Sequence, residues 1–259
     1  QPRSRGLGDV YKRQVYMKRL KRIYIILLSA VLIIGGSGCE LNNSEIVKEE
    51  QAAHDEWLRW RKEFLAEQEL PTEYSQLSDS QKTSVKAIYE MIMYLQDKYG
   101  IEFEYTGYVR PQILEDEYLT AIPKGGNEKT DTVTVTRQDD GTLTDDYPNI
   151  AVRPFYEQMI TDYIEDYFGS DKVRVFSTVT KTSIEDLNNI SAEKMKGDVY
   201  GNSVVFISND ICTENEIKEF ASVFVEWTKE NGLVNYTQLM LLYNPDIEEL
   251  NPNKYSDYY

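Results

Sequence analysis

At 259 residues, with 28 basic against 44 acidic side chains and a net charge of −16, the chain can bury one sizeable domain or two small ones. That balance excludes a surface built for nucleic acid or anionic headgroups, and leaves cationic partners, divalent ions or plain solubility as what the charge serves. One histidine and two cysteines exclude a disulfide framework and a zinc site of soft ligands.

Residues 1–16 carry Arg3, Arg5, Lys12 and Arg13 without an apolar period, and residues 9–14 resemble the translation of a transposon-end sequencing adapter. They are expected to be non-native and to take no part in the fold. From Met17 the chain runs through Lys18, Arg19, Lys21 and Arg22 into an apolar stretch over residues 23–34, then Gly35, Gly36, Ser37, Gly38 and Cys39. Basic, apolar and small residues in that order make residues 17–38 an export signal. The small residues let a peptidase close on the backbone just before Cys39, whose thiol is the only nucleophile there that can take a diacylglycerol.

The pattern resembles the lipobox of bacterial lipoproteins, with Gly36 where that family has Leu, Val or Ile. The resemblance implies cleavage before Cys39, a diacylglycerol with palmitate-type chains carried on its thiol as a thioether, and attachment to the extracytoplasmic face of a membrane. The apolar run of about a dozen residues is short of the ~20 that a spanning helix needs. Two acyl chains on Cys39 would anchor the protein stably where one would not. Residues 1–38 hold eight bases and Asp9, so the exported part keeps 20 bases against 43 acids, a charge of −23. Cys212 then lacks a partner thiol, a cysteine usage that fits a Gram-positive surface.

After the anchor, residues 39–77 read as a short polar tether and an amphipathic helix. Residues 45–69 contain neither Gly nor Pro and place Ile46, Ala53, Trp57, Trp60, Phe64 and Leu65 on one stripe, which is expected to dock on the domain. Pro71 stops this helix. Ser78 with Gln81 forms a capping box. Val85, Ile88, Tyr89, Ile92, Leu95 and Tyr99 share a helix face, and Gly100 suits a left-handed cap. Residues 101–106 alternate as a half-wet strand and residues 132–137 as a second one, with Asp139, Asp140 and Gly141 turning the chain beyond it.

Pro154 is expected to open the next helix, with Phe155, Met159, Ile160, Tyr163, Ile164 and Tyr167 on its apolar face and Gly169 closing it. Residues 172–180 read as a strand, residues 184–201 have no assignment, and residues 203–208 read as a central strand. Thr213 and Glu216 form a second capping box ahead of Ile217, Phe220, Ala221 and Phe224, with Gly232 as the stop. Residues 236–243 are apolar on both faces and are expected inside a covered sheet. Residues 245–259 carry no period and read as a flexible tail.

The chemistry-bearing residues are few. His54 lies on the polar side of the first helix without a nucleophile near it, and Cys212 reads as a small residue at a helix start. Asp139, Asp140, Asp145 and Asp146 surround Gly141 as a weak cation-binding turn, but lack the alternating spacing and closing glutamate of an EF-hand. No catalytic residue, metal site or cofactor is assigned.

The element order predicts an α+β fold, a mixed or antiparallel sheet with packed helices, as one domain over residues 78–244 behind the amphipathic helix. Over residues 81–146 the helix and long hairpin resemble the PepSY module in element order. The whole resembles the surface lipoproteins of Gram-positive gut bacteria. The function expected is that of a lipid-anchored extracytoplasmic binding or accessory protein: attached to the membrane through Cys39, without nucleic acid, and serving a protein or cationic ligand. The alternative is a carboxylate-based hydrolase at the cell surface.

Overall fold

The computed structural model describes residues 43–113, 115–243 and 246–258. The fold is α+β. In chain order it holds α1 (Asn43–Glu67), α2 (Asp79–Tyr99), β1 (Phe103–Val109), β2 (Glu117–Pro123), β3 (Val133–Arg137), β4 (Leu143–Asp145), α3 (Tyr147–Phe168) and β5 (Val173–Thr182). Then follow α4 (Ala192–Met195), β6 (Val199–Ser208), α5 (Glu214–Glu230), β7 (Val234–Leu242) and α6 (Asp246–Glu249). The strands form two sheets, in the orders β1-β2-β3-β4 and β5-β6-β7. By contacts the chain divides into two compact units rather than the single domain expected over residues 78–244. Unit 1 runs to Lys124 and includes Arg137–Leu143, and unit 2 comprises Gly125–Thr136 and everything from Thr144 onward.

In unit 1, local chemistry sets the ends of α2. The Ser78 hydroxyl accepts from the Gln81 N–H, and the Gln81 side chain accepts from the Ser78 N–H at 2.9 Å. Gly100 ends the helix at φ 68°, a conformation in which a side chain would be strained. The buried face of α2 is Val85, Ala87, Ile88, Met91, Ile92 and Leu95.

The aromatic stripe of α1 docks as expected. Trp57 and Trp60 meet Tyr89 of α2 at ring distances of 4.9 and 5.0 Å, and Phe64 meets Tyr105 of β1 edge-on at 5.2 Å. Phe64 and Leu65 are buried. Beyond α1 the chain turns on Glu69, a non-glycine residue at φ 55°, while the Leu70 N–H reaches back to the Leu65 carbonyl at 2.8 Å.

Strand β1 pairs with β2, a strand that the sequence pattern had hidden, in an antiparallel ladder with an irregularity between Tyr105 and Gly107. Leu119 and Ala121 of β2 are fully buried on one face, and Ile122 beside them is buried as well. The strand's signal is masked by the acidic run before it and by Pro123 at its end.

Unit 2 is layered. β6 is the central strand, antiparallel to β5 and parallel to β7, and the β6–β7 connection passes through α5. Val205, Phe206 and Ile207 are fully buried because both faces of the sheet are covered. On one side, α3 and α5 bring Tyr156, Ile160, Ile164, Phe220 and Phe224 onto the valines of β5 and β6. On the other, Ile247, Leu250, Tyr255 and Tyr258 pack on Phe206 and Leu242.

Two expectations are corrected here. The segment read as a flexible tail forms α6 and a 3-10 turn at Tyr255–Tyr258, held by this apolar cover, and Tyr255 stacks on Phe176 at 4.5 Å. The helix expected to open at Pro154 starts at Tyr147, with Pro148 in its first turn and Pro154 in its interior. Its buried face is therefore Val152, Tyr156, Ile160 and Ile164, and Phe155 and Tyr167 stand half exposed.

Candidate functional site

A cavity of about 260 Å³ lies within unit 2, along the outer edge of β5. The first turns of α3 supply Asp146, Asn149, Arg153 and Glu157, and the loop before β3 supplies Lys129, Thr130 and Thr132. Residues 176–179 of β5 form the floor, and Pro252 and Tyr255 close the far side. The position follows from topology: β5 is the last strand of its sheet, so its outward backbone groups need partners from outside the ladder. Helix α3 provides them. Glu157 Oε1 accepts from the Ser177 N–H at 2.6 Å, and Asn149 Nδ2 donates to the Thr180 carbonyl at 3.4 Å.

Arg153 joins helix to loop. Its Nη2 donates to Asp131 Oδ1 at 2.7 Å, its Nη1 donates to the Thr130 carbonyl, and its Nε lies 3.9 Å from Glu157 Oε1. Asp131 also caps its own loop, accepting from the Asn127 N–H at 2.7 Å and the Thr130 hydroxyl at 2.9 Å. Burial works to raise the Asp131 carboxyl, but the Asn127 N–H, the Arg153 guanidinium and the Thr130 hydroxyl outweigh it and hold it below its ordinary value. The loop is strapped to the C-terminal segment by Lys129 Nζ, which donates to the Asn253 carbonyl at 2.9 Å, and by Asn127 Nδ2, which donates to Asn253 Oδ1 at 3.2 Å.

The two acids on the cavity wall behave differently from Asp131. Burial raises the Glu157 carboxyl above its ordinary value against the opposing pull of the Ser177 N–H and Arg153. Burial likewise raises Asp146, although its Oδ1 accepts from the Thr134 N–H at 2.6 Å. Only Oε1 of Glu157 is engaged; Oε2 makes no hydrogen bond or ion pair among the described residues. Behind the floor, the hydroxyls of Ser177 and Ser203 share a buried hydrogen bond of 2.8 Å.

Of the residues singled out in the sequence, the structure brings Asp146 alone to this cavity. Asp139 and Asp140 lie on the exposed β3–β4 turn, where Asp140 Oδ1 accepts from the Thr142 N–H and hydroxyl at 2.9 and 2.6 Å. Asp145 Oδ1 accepts from the Tyr147 N–H at 3.1 Å. These contacts of Asp140 and Asp145 are those of a turn and a helix start. Among the described residues no group of three or more His, Cys, Asp or Glu side chains is placed to hold a metal ion. His54 is exposed on α1, and Cys212 is buried, its thiol donating to the Thr213 carbonyl and raised by burial and then by Glu216.

Cys39 lies outside the described residues, and among those described no helix is long and apolar enough to cross a membrane. Arg153, Glu157 and Asp131 went unread in the sequence. A signal existed: Arg153 and Glu157 stand four apart on a helix whose neighbouring positions are mostly apolar, the spacing of an ion pair set into a packed face.

No family model matches the chain, and no curated protein does. Among solved structures, the crystal structure of a DUF5037 family protein from Ruminococcus gnavus is similar at 17% identity and a TM-score of 0.36, over 62% of this chain and 77% of that one. A likeness of that size carries neither fold nor function across.

Proposed function

We propose that this is a lipid-anchored extracytoplasmic binding or accessory protein of a Gram-positive cell surface, tethered through Cys39 and using the cavity of unit 2 as its binding site. The observation that carries the binding half is how the cavity wall is built. Glu157 and Asp146 are each fixed by a main-chain amide, and Arg153 is fixed from three sides, so polar groups are held in place before any ligand arrives. The anchoring half rests on the basic, apolar and small-residue order of residues 17–39.

A carboxylate-based hydrolase is the second reading, and one observation favours it: two carboxyls with raised pKa line a single cavity, as a general acid and its partner do. Weighing for binding, one oxygen of each acid is taken by a main-chain amide.

Fractionation of cells making the protein with Cys39→Ala tests the anchor. The variant should leave the membrane fraction or accumulate as precursor, and unchanged processing with unchanged retention would refute it. Assay of a chromogenic glycoside panel against the full chain and Glu157→Gln decides between the readings, because turnover lost with that variant would make the protein an enzyme.

A further inference from the structure

The charges on the cavity wall do not balance. Arg153 is answered by Asp131 at 2.7 Å and by the Thr130 carbonyl, and Lys129 is turned to the Asn253 carbonyl at 2.9 Å. Neither cation is left facing the cavity without a partner. The acids are in excess, because Asp146 has only backbone and hydroxyl donors and Glu157 shares Arg153 at 3.9 Å while Oε2 stays open. A carboxylate drawn out of water without a full counter-charge is costly, and a cation entering the cavity would offset that cost. The lining is also aromatic: Phe176 on the floor and Tyr255 on the far side stack at 4.5 Å with their planes 8° apart, a π surface that attracts alkylammonium groups. The volume of about 260 Å³ equals roughly nine water molecules at about 30 Å³ each, so the guest is small.

We propose that this cavity binds a small organic cation, a primary or methylated amine, whose ammonium group is taken by the carboxylates of Glu157 and Asp146 and whose alkyl part rests on Phe176 and Tyr255. This rests on the binding reading above and names its ligand class.

The test is calorimetric titration of the full chain with choline, butylammonium and putrescine, beside acetate, phosphate and glucose as anionic and neutral probes. At least one amine should bind with a Kd of about 1 mM or tighter. Glu157→Gln, which keeps an acceptor for the Ser177 N–H, should weaken that amine about tenfold or more. Phe176→Leu should weaken choline more than butylammonium, a selectivity that a general loss of fold would not give. If Glu157→Gln melts early, Asp146→Asn carries the same comparison, and Asp139→Asn on the exposed turn should change nothing. Binding of acetate, phosphate or glucose in place of the amines, abolished by the same variants, would overturn the ligand class and leave the binding reading standing. No heat and no thermal stabilisation from any probe at about 10 mM would overturn both.

Discussion

Arg137 in unit 1 and Arg153 in unit 2 are both half-buried cations held by two acids, and the comparison separates a structural network from a site. Arg137 Nε donates to Glu117 Oε2 at 2.5 Å and its Nη2 to Glu90 Oε2 at 3.1 Å. The other oxygen of Glu117 accepts from the Tyr108 hydroxyl at 2.5 Å, so both oxygens of that acid are engaged. Burial, and then this hydrogen bond, push the Tyr108 phenol above its ordinary value. In unit 2 the strong bond goes to Asp131, and Glu157 keeps an open oxygen on a cavity. The same residue types give stability when each buried carboxylate oxygen has a partner, and a capacity to bind when one oxygen is left over on a cavity.

Removing each arginine should expose that difference. Arg153→Ala leaves the half-buried Asp131 and Glu157 without a counter-charge and should cost about 3 kcal/mol, the low end of the range for breaking a buried pair. Arg137→Ala should cost less, about 1–2 kcal/mol, because Glu90 is open to water and Arg137 is more exposed than Arg153. Urea titration of both variants checks the order, and equal losses would break the comparison. One step down, Gly201→Ala places a methyl group 2.9 Å from the Thr178 carbonyl and 3.3 Å from the Tyr156 ring. A cost of about 1–3 kcal/mol is expected, along with weaker ligand binding, since Thr178 lines the cavity floor.

What could be read from the sequence was local. Both capping boxes, Ser78 with Gln81 and Thr213 with Glu216, are present, and Gly100, Gly169 and Gly232 all sit at positive φ, because those signals depend on residues within one turn. The α+β class and the docking of Trp57 and Trp60 followed from periodicity. The start of α3 was misread because Pro154 satisfies the chemistry of a first-turn proline, and only tertiary packing of Val152 and Tyr156 carries the helix back to Tyr147. The cavity was illegible for a different reason. Lys129, Glu157, Ser177 and Tyr255 come from four segments, and their convergence depends on β5 being a sheet edge, which pairing order decides and sequence pattern does not.

Unit 1 also carries local costs that substitution can relieve, which sharpens the contrast with the constrained floor of unit 2. Glu69 is exposed and takes φ 55° at the end of α1, where glycine adopts that conformation without a Cβ penalty. Glu69→Gly should therefore stabilise the protein by about 0.5–1 kcal/mol, read as a rise in the urea midpoint. A loss would mean that the Glu69 side chain contributes a contact worth more than the backbone strain.

The smallest effect expected is at Asp97 on α2. Its Oδ1 is buried without a hydrogen bond, and burial first, then the charge of Glu56, raise its carboxyl above the ordinary 3.8. Tyr89 nearby is pushed up to about 12 by burial, Glu56 and Asp97, so the charged form of Asp97 sits in a region already poor in positive charge. A carboxyl with a raised folded-state pKa contributes stability that is complete below its unfolded value and is lost as pH rises through the folded one. At neutral pH Asp97 is therefore a net cost, and Asp97→Asn should stabilise the protein there, by less than about 1 kcal/mol because water screens a half-exposed group. The gain should shrink on going from pH 7.5 toward the ordinary Asp value, where wild type and variant are both neutral at this position. Paired urea titrations at the two ends check the sign: a gain that grew with acid would place an unseen cation beside Asp97, and would make the α1–α2 seam a balanced network like that of Arg137.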